Sequence, residues 1–298
     1  LNRDALRVRL YVMLTSRDPN LLKEWYKKGP EIGTGNGHLT IRSIKLNADG
    51  ALGSRGAWLL EDYTDRPGHT GMATQSMEYV YEVATDGLVN GFQVNAHAIG
   101  DRANREVLDQ FQKAFEENSV KAYDHRWRIE HAQHINPADI PRFGKLGVIA
   151  SMQGIHLSSD RSWAIIRLGK KRIIEGAYVW RNLMDTGAII INGTDVPVEP
   201  IDPIASFYAS VSRRTLKGKP KGGFEPSQKM TRLEALKSYT INAAYGAFEE
   251  DIKGSIEVGK YADFTVLSQN IITIPEDKIL DTKVLYTIVN GEILYKSE

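Results

Sequence analysis

Cysteine is absent from this 298-residue chain, which excludes a disulfide framework, a thiolate nucleophile and any sulfur-ligated metal. A metal bound here has to rest on His, Asp, Glu or a modified Lys. Long apolar runs are missing too. Nothing approaches the roughly 18 consecutive apolar residues of a membrane span, and Leu1 to Arg9 alternate charge with aliphatics, unlike a signal peptide. Charge of one sign is also lacking: 38 basic residues face 37 acidic ones, a formal net charge of +1. The densest basic cluster, Lys217 to Lys221, is broken by Gly218 and Pro220 and reads as a solvated loop, so neither nucleic acid nor membrane is an expected partner.

What is present is ordinary for a globular protein, with 25% charged and 42% hydrophobic residues and length enough for one large barrel or two smaller domains. Six segments rich in Val, Ile, Leu or Tyr predict short buried strands: Val8 to Leu14, Leu39 to Leu46, Phe92 to His97, Trp127 to His131, Val148 to Met152 and Ala188 to Thr194. Helical patterns between them imply parallel pairing with crossover helices. Thr74, Asp101 and Asn136, the last followed by Pro137, are expected N-caps, and Thr231 with Glu234 an expected capping box. After Asp251 the pattern turns to short extended segments at Gly254 to Val258, Phe264 to Leu267, Val284 to Val289 and Ile293 to Tyr295, with Asn290-Gly291 as a hairpin turn. The expected organisation is a barrel over residues 1–253 and part of a β-sandwich over 254–298. A closed (β/α)8 barrel needs eight strands in about 250 residues, so six represent roughly strands 3 to 8. Leu1 is not Met, and the two remaining units are expected upstream of it.

In such barrels the working residues sit at the C-terminal ends of strands. Lys45, His97, His131 and Asp195 all fall there, in Ser-Ile-Lys-Leu-Asn-Ala-Asp-Gly, Asn-Ala-His-Ala-Ile-Gly-Asp, Ile-Glu-His-Ala-Gln and Asn-Gly-Thr-Asp-Val-Pro. Each alone has an ordinary explanation: a hydrogen-bonded structural histidine, a salt-bridged lysine, a turn aspartate ahead of Pro197. Together they point to a metal site.

These motifs, with Asp49-Gly50-Ala51-Leu52-Gly53-Ser54-Arg55, Ser151-Met152-Gln153 and Gly254-Ser255-Ile256 through Ala262-Asp263, resemble the amidohydrolase superfamily. The branch is amidohydrolase 3, the YtcJ-like proteins related to N-substituted formamide deformylase. The resemblance implies an (α/β) TIM-type barrel with one or two divalent ions, zinc foremost. It implies His97 and His131 as ligands from barrel strands 5 and 6, Asp195 as the acid on strand 8 that is both ligand and proton shuttle, and Lys45 as a carboxylated bridging lysine. The family's His-X-His pair of strand 1 is absent from these residues and is expected upstream. The implied reaction is hydrolysis of a non-peptide carbon–nitrogen bond in a small-molecule substrate. Asp49, Arg55 and His156 are expected on the substrate side, although Arg55 in a surface salt bridge is an equal alternative. Trp58, Trp163, Arg161 and Arg213 lie in loops that suit substrates from N-formyl amines to cyclic imides. Family members commonly assemble as homo-oligomers. The cytoplasm is the expected compartment, or a secreted or periplasmic one if a signal segment precedes Leu1.

Two rivals stand beside this reading. A glycosidase would use Glu130 and Asp195, against which strand alternation speaks, since Glu130 and His131 are neighbours and should face opposite ways. The other is a catalytically inactive fragment or a regulatory, binding remnant lacking the first ligand pair. Asp101 is expected as a helix cap, His134 as a loop residue, and His38, His69 and His125 as structural or exposed.

Overall fold

The computed structural model describes residues 7–298, so most of the Leu1 to Arg9 reading lies outside the described residues. The larger of two sheets has seven strands. They are β1 (Leu10–Thr15), β2 (Glu31–Gly33), β3 (Leu39–Asn47), β4 (Gln93–Ala98), β5 (Arg128–His131), β6 (Ile149–Met152) and β7 (Ile190–Asn192). All six expected strands are there, parallel from β1 to β3, β4, β5 and β6 in that order, with helices between them. This is the α/β class and the strand–helix order expected for the later strands of a (β/α)8 barrel. The addition is β2, three residues pairing antiparallel with β3 at Glu31 and Ile41, too short to leave a period in the sequence.

The chain divides into two compact units, Leu1–Met152 with Ser162–Ile189, and Gln153–Arg161 with Ile190–Glu298. In the first, the register sorts the side chains into two faces. Residues paired across parallel strands project the same way, so Lys45, Asn95 and Arg128 form one level, and Asn47, His97, Glu130 and Ser151 the next. The alternate residues Ile44, Leu46, Val94, Ala96, Ile129 and Ala150 are almost wholly buried. On that side the helices Met77–Val89 and Asp101–Glu117 pack against β4 and each other. Apolar periodicity therefore records the helix-covered face, while the polar residues between record the other.

The strand alternation used against Glu130 and His131 fails at this point. His131 has φ of 76° and Ala132 of 42°, so the chain leaves the extended region as β5 ends, and the period of two no longer governs His131.

Helix starts differ from expectation by small distances. Ser76, not Thr74, caps Met77–Val89 by accepting from Tyr79 N at 3.2 Å, while the Thr74 hydroxyl donates to Asn47 O at 2.7 Å. Gly100 is the N-cap of Asp101–Glu117, which leaves Asp101 as its first residue. Asn136 accepts from Ala138 N in a turn, and the helix proper is Ile140–Leu146, capped at Asp139 with Pro141 in its first turn. Local side-chain bonding competes among neighbouring polar residues, and the loop path chooses between them.

The second unit carries β7, the helices Pro203–Ser212 and Arg232–Tyr239, and a three-stranded antiparallel sheet. The Thr231–Glu234 capping box forms as expected. The small sheet runs β8 (Phe264–Leu267), β9 (Val284–Val289) and β10 (Glu292–Lys296) in the order β10-β9-β8. Asn290 and Gly291, with φ of 54° and 82°, make the tight turn between the last two. Gly254 to Val258 forms no strand; Gly254 takes a φ of 95° close to the Ala244 side chain, and Val258 is exposed. Among the described residues no helix is long and apolar enough to cross a membrane.

Trp127 anchors the first unit beneath the start of β5. It is fully buried, with Phe111 edge-on at 4.8 Å and Phe115 tilted at 4.8 Å between ring centroids. His125 stacks on Phe115 at 4.0 Å, and its two nitrogens are committed: Trp127 N donates to Nδ1, and Nε2 meets Leu146 O at 2.9 Å. Burial pushes the His125 ring below the ordinary imidazole value. Trp127→Ala is expected to cost about 3–5 kcal/mol in chemical denaturation, the range for emptying a large aromatic site. Since the unfolded chain protonates His125 more readily than the folded one, its contribution is intact above about pH 6.5. It is lost as pH falls from there toward the folded value. A pH series of denaturation midpoints, read against the NMR titration of the His125 ring, checks both the sign and the window.

Candidate metal and hydrolytic site

Two loops that follow β3 and β4 interlock around one carboxylate. Asp49, two residues past β3, has a fully buried side chain. Its Oδ2 accepts from Trp58 N at 2.9 Å and Gly100 N at 2.8 Å, and its Oδ1 accepts from Ile99 N at 3.0 Å. The opposite loop returns the grip. Trp58 O accepts from Arg102 N and Ala103 N at the first turn of the helix Asp101–Glu117, and Asp101 accepts from Leu60 N at 2.9 Å. Gly100 is required by this crossing, because a Cβ there would lie 2.0 Å from Trp58 O. Gly50 and Gly56 meet backbone to backbone in the same loop. The Asp-Gly-Ala-Leu-Gly-Ser-Arg-Gly motif is thus mostly an instruction for packing a loop onto a helix N-terminus.

His97 comes next to this anchor. Its Nε2 is 3.3 Å from Asp49 Oδ1, and its ring lies 4.5 Å from that of His131 between centroids, at 71°. The two imidazoles stand at the ends of adjacent parallel strands, and the turn at His131 brings its ring to His97. Two rings this close can donate to a common cation, and no thiolate competes.

Beside them is a charged group that sequence reading set aside. Glu130 is buried, accepts from Arg128 Nε at 2.8 Å and pairs in register with Ser151. Burial by itself would raise its carboxyl; Arg128, Lys45, a hydrogen bond from Ser151 and His131 together outweigh that and bring it down to about 2. A carboxyl so strongly ionised cannot serve as the general acid that a glycosidase needs. Lys45, at the level of Asn95 and Arg128, is one of the cations that hold it. The signal for this polar lining was present in the sequence as a polar period of two, Ser43-x-Lys45-x-Asn47, Gln93-x-Asn95-x-His97 and Arg128-x-Glu130.

The second unit brings together His156 and Asp195. Asp195 follows β7 with φ of 55° and keeps a partly exposed side chain, its Oδ2 3.9 Å from His156 Nε2. Burial pushes the His156 ring down to about 4 against the opposing pull of Asp195, so the ring is neutral at physiological pH. Ser159 donates to Glu199, a nearly buried acid that sequence reading did not single out. Asn192, at the end of β7, accepts from Gly154 N at 2.9 Å and donates to Ser238 Oγ at 3.0 Å.

Arg55 forks onto Asp65, at 3.2 Å and 2.8 Å, and Arg167 joins the same carboxylate. This is the salt-bridge alternative for Arg55. His134 is buried 3.6 Å from Asp101, its ring pushed down by burial against the pull of that carboxylate. His69 meets Arg55 O at 2.9 Å, and His38 meets Val8 O at 3.3 Å.

The sequence profile of the amidohydrolase family matches residues 2–295. Among curated proteins, Protein LONG AFTER FAR-RED 3 of Arabidopsis thaliana is 35% identical over 257 residues, 86% of this chain and 43% of that protein. The putative amidohydrolase YtcJ of Bacillus subtilis is 32% identical over 259 residues, 87% of this chain and 48% of its own length. Among solved structures, an uncharacterized metal-dependent hydrolase from Pyrococcus horikoshii superposes with a TM-score of 0.77 at 31% identity, covering 90% of this chain and 52% of the other. The chain spans about half the length of these relatives.

The loop crossing makes its own prediction. Gly100→Ala must push Trp58 away from the helix N-terminus, at an expected cost of about 3 kcal/mol. Denaturation measures that cost, and hydrogen exchange should show protection lost at Trp58, Ile99 and Arg102 while the β8–β10 sheet is unaffected.

Proposed function

Because the chain belongs to the amidohydrolase family, we propose that it supplies catalytic groups of a metal-dependent hydrolase that opens non-peptide carbon–nitrogen bonds in small amide-like molecules. The observation that carries the reading is the paired imidazoles of His97 and His131 at neighbouring strand ends. His97, His131 and Asp195 are the proposed protein ligands, and zinc the proposed ion, since nitrogen and oxygen donors without sulfur suit a borderline divalent cation. The donor set fits in a further respect: His97 Nε2 is buried without a hydrogen bond, an orphaned polar atom of the kind a ligand would satisfy.

When bound, a divalent ion supplies a water acidic enough to ionise near neutral pH and an electrophile for the carbonyl oxygen. The chain's own groups do the rest. Asp195, partly exposed, accepts the proton of the attacking water and delivers it to the departing nitrogen. His156 stays neutral beside it, contacts the substrate and adds no competing charge. Lys45 is among the charges that lower Glu130, and in its unmodified ammonium form it has no lone pair to donate. Carboxylation of Lys45 would set a second negative charge near Glu130, so we assign it to a two-ion form, where added positive charge offsets it. Asp49 and Arg55, expected on the substrate side, are assigned to the loop framework instead, because their carboxylate and guanidinium groups are engaged within it.

Elemental analysis of the chain purified with zinc tests the reading. Stoichiometric zinc is expected, falling with His97→Ala or His131→Ala; a chain that retains none, or one whose zinc survives both substitutions, overturns it. With a panel of N-formyl amines and cyclic imides, turnover should vanish on chelation and return with zinc. Asp195→Asn should then lower turnover about 10²–10⁴-fold. Unchanged turnover at normal metal content would remove Asp195 from the proton path.

A further inference from the structure

The helix that carries His156 starts at Gly154, and the first N–H groups of a helix find no partner within it. Two of them are met by side chains far along the chain. Gly154 N donates to Asn192 Oδ1 at 2.9 Å, and Ile155 N donates to Ser206 Oγ at 3.2 Å. We propose that Ser206 is a positioning residue for His156, joining through one hydroxyl the turn before that ring to the strand end that leads to Asp195. Besides accepting from Ile155 N, Ser206 Oγ directs its proton to Gly193 O at 3.5 Å. Ile155 immediately precedes His156, and Gly193 lies two residues before Asp195. The Tyr239 hydroxyl donates to the second lone pair of the same oxygen, so its one donor and two acceptor sites are all used.

The contact leaves little room for adjustment. Ser206 and Ser210 are fully buried on the helix Pro203–Ser212. That helix lies so close to the turn that a Cβ on Gly154 would come within 2.1 Å of Ser210 Oγ and 2.8 Å of Ser206 O. Asn192 repeats the link from the strand side: it accepts from Gly154 N and donates to Ser238 Oγ, one residue before Tyr239. The helix Arg232–Tyr239 therefore supports both grips, Asn192 through Ser238 and Ser206 through Tyr239. Burial pushes the Tyr239 phenol up to about 12, so it stays a proton donor at neutral pH. His156 Nε2 stands 3.9 Å from Asp195 Oδ2 at the end of these links.

The contribution of His156 to substrate binding rests on the functional reading above, and the placement of its ring does not. Three-bond NMR couplings across the His156 Cα–Cβ bond in the metal-free chain read its rotamer directly. In the unsubstituted chain a single rotamer is expected. Ser206→Ala leaves the buried Ile155 N–H without its acceptor, so the turn has to shift toward water and the couplings should average over at least two rotamers. With the panel of N-formyl amines and cyclic imides, KM should rise about fivefold, the worth of one hydrogen bond, with kcat lowered less. In a His156→Ala background the same substitution should add nothing to KM, the mark of a residue that acts through another. Ile271→Ala empties a buried site in the same unit and should lower stability without moving the rotamer or KM. Several His156 rotamers in the unsubstituted chain overturn the proposal, as do couplings unchanged by Ser206→Ala or a KM effect that persists without His156. If Ser206→Ala does not fold, Ser206→Cys decides in its place, since sulfur keeps the volume and is a weak acceptor. If the chain turns over none of the panel, the functional reading fails while the couplings still judge Ser206.

Discussion

The Asp49 carboxylate is the interaction on which the first unit's site depends. A buried anion is costly to desolvate unless hydrogen bonds replace water, and here three backbone donors do so from two separate segments. The arrangement fixes the loop after β3 against the start of the helix after β4. It thereby defines where His97 can stand. Removing the acceptor would leave three buried N–H groups without partners as well as a histidine without a neighbour, so stability and site geometry are coupled through one side chain.

A second constraint comes from the parallel sheet. Helices cover one face with Ile44, Leu46, Val94, Ala96, Ile129 and Ala150, and the other face carries Lys45, Asn95, Arg128, His97 and Glu130. Burying such groups requires mutual satisfaction, which is what the Arg128–Glu130 pair and the Lys45 charge provide. The interior is therefore electrostatically organised before any ligand arrives.

Membership of the amidohydrolase family and the two neighbouring imidazoles give the metal-dependent reading its support. The residues divide by the work they are suited to. His97 and His131 stand at strand ends, His97 beside the buried Asp49, which suits their proposed role as donors to an ion. Asp195 sits on a loop after β7 with access to solvent, which suits its proposed role in proton transfer. His156 is kept neutral by burial beside it.

Much of this was legible in the linear chain. Segments rich in Val, Ile, Leu or Tyr located the six main strands of the larger sheet among the described residues, since a strand covered by helices must carry apolar side chains whatever its neighbours are. Local chemistry also located the Thr231–Glu234 capping box and the Asn290-Gly291 turn, because both close within a few residues. What lay beyond the sequence was any choice made by contacts distant along the chain. Nothing in the local sequence of Asp49 showed that the backbone of Trp58, Ile99 and Gly100 would close on it. Gly100 displaced Asp101 as a helix cap because Trp58 O passes too near for any Cβ, and His131 escaped strand alternation because its backbone turns out of the extended region. The amino-acid order determined which groups are present and on which strands. Only the tertiary structure decided which of them are free to act and which are held as framework, because that depends on donors and acceptors supplied from tens of residues away.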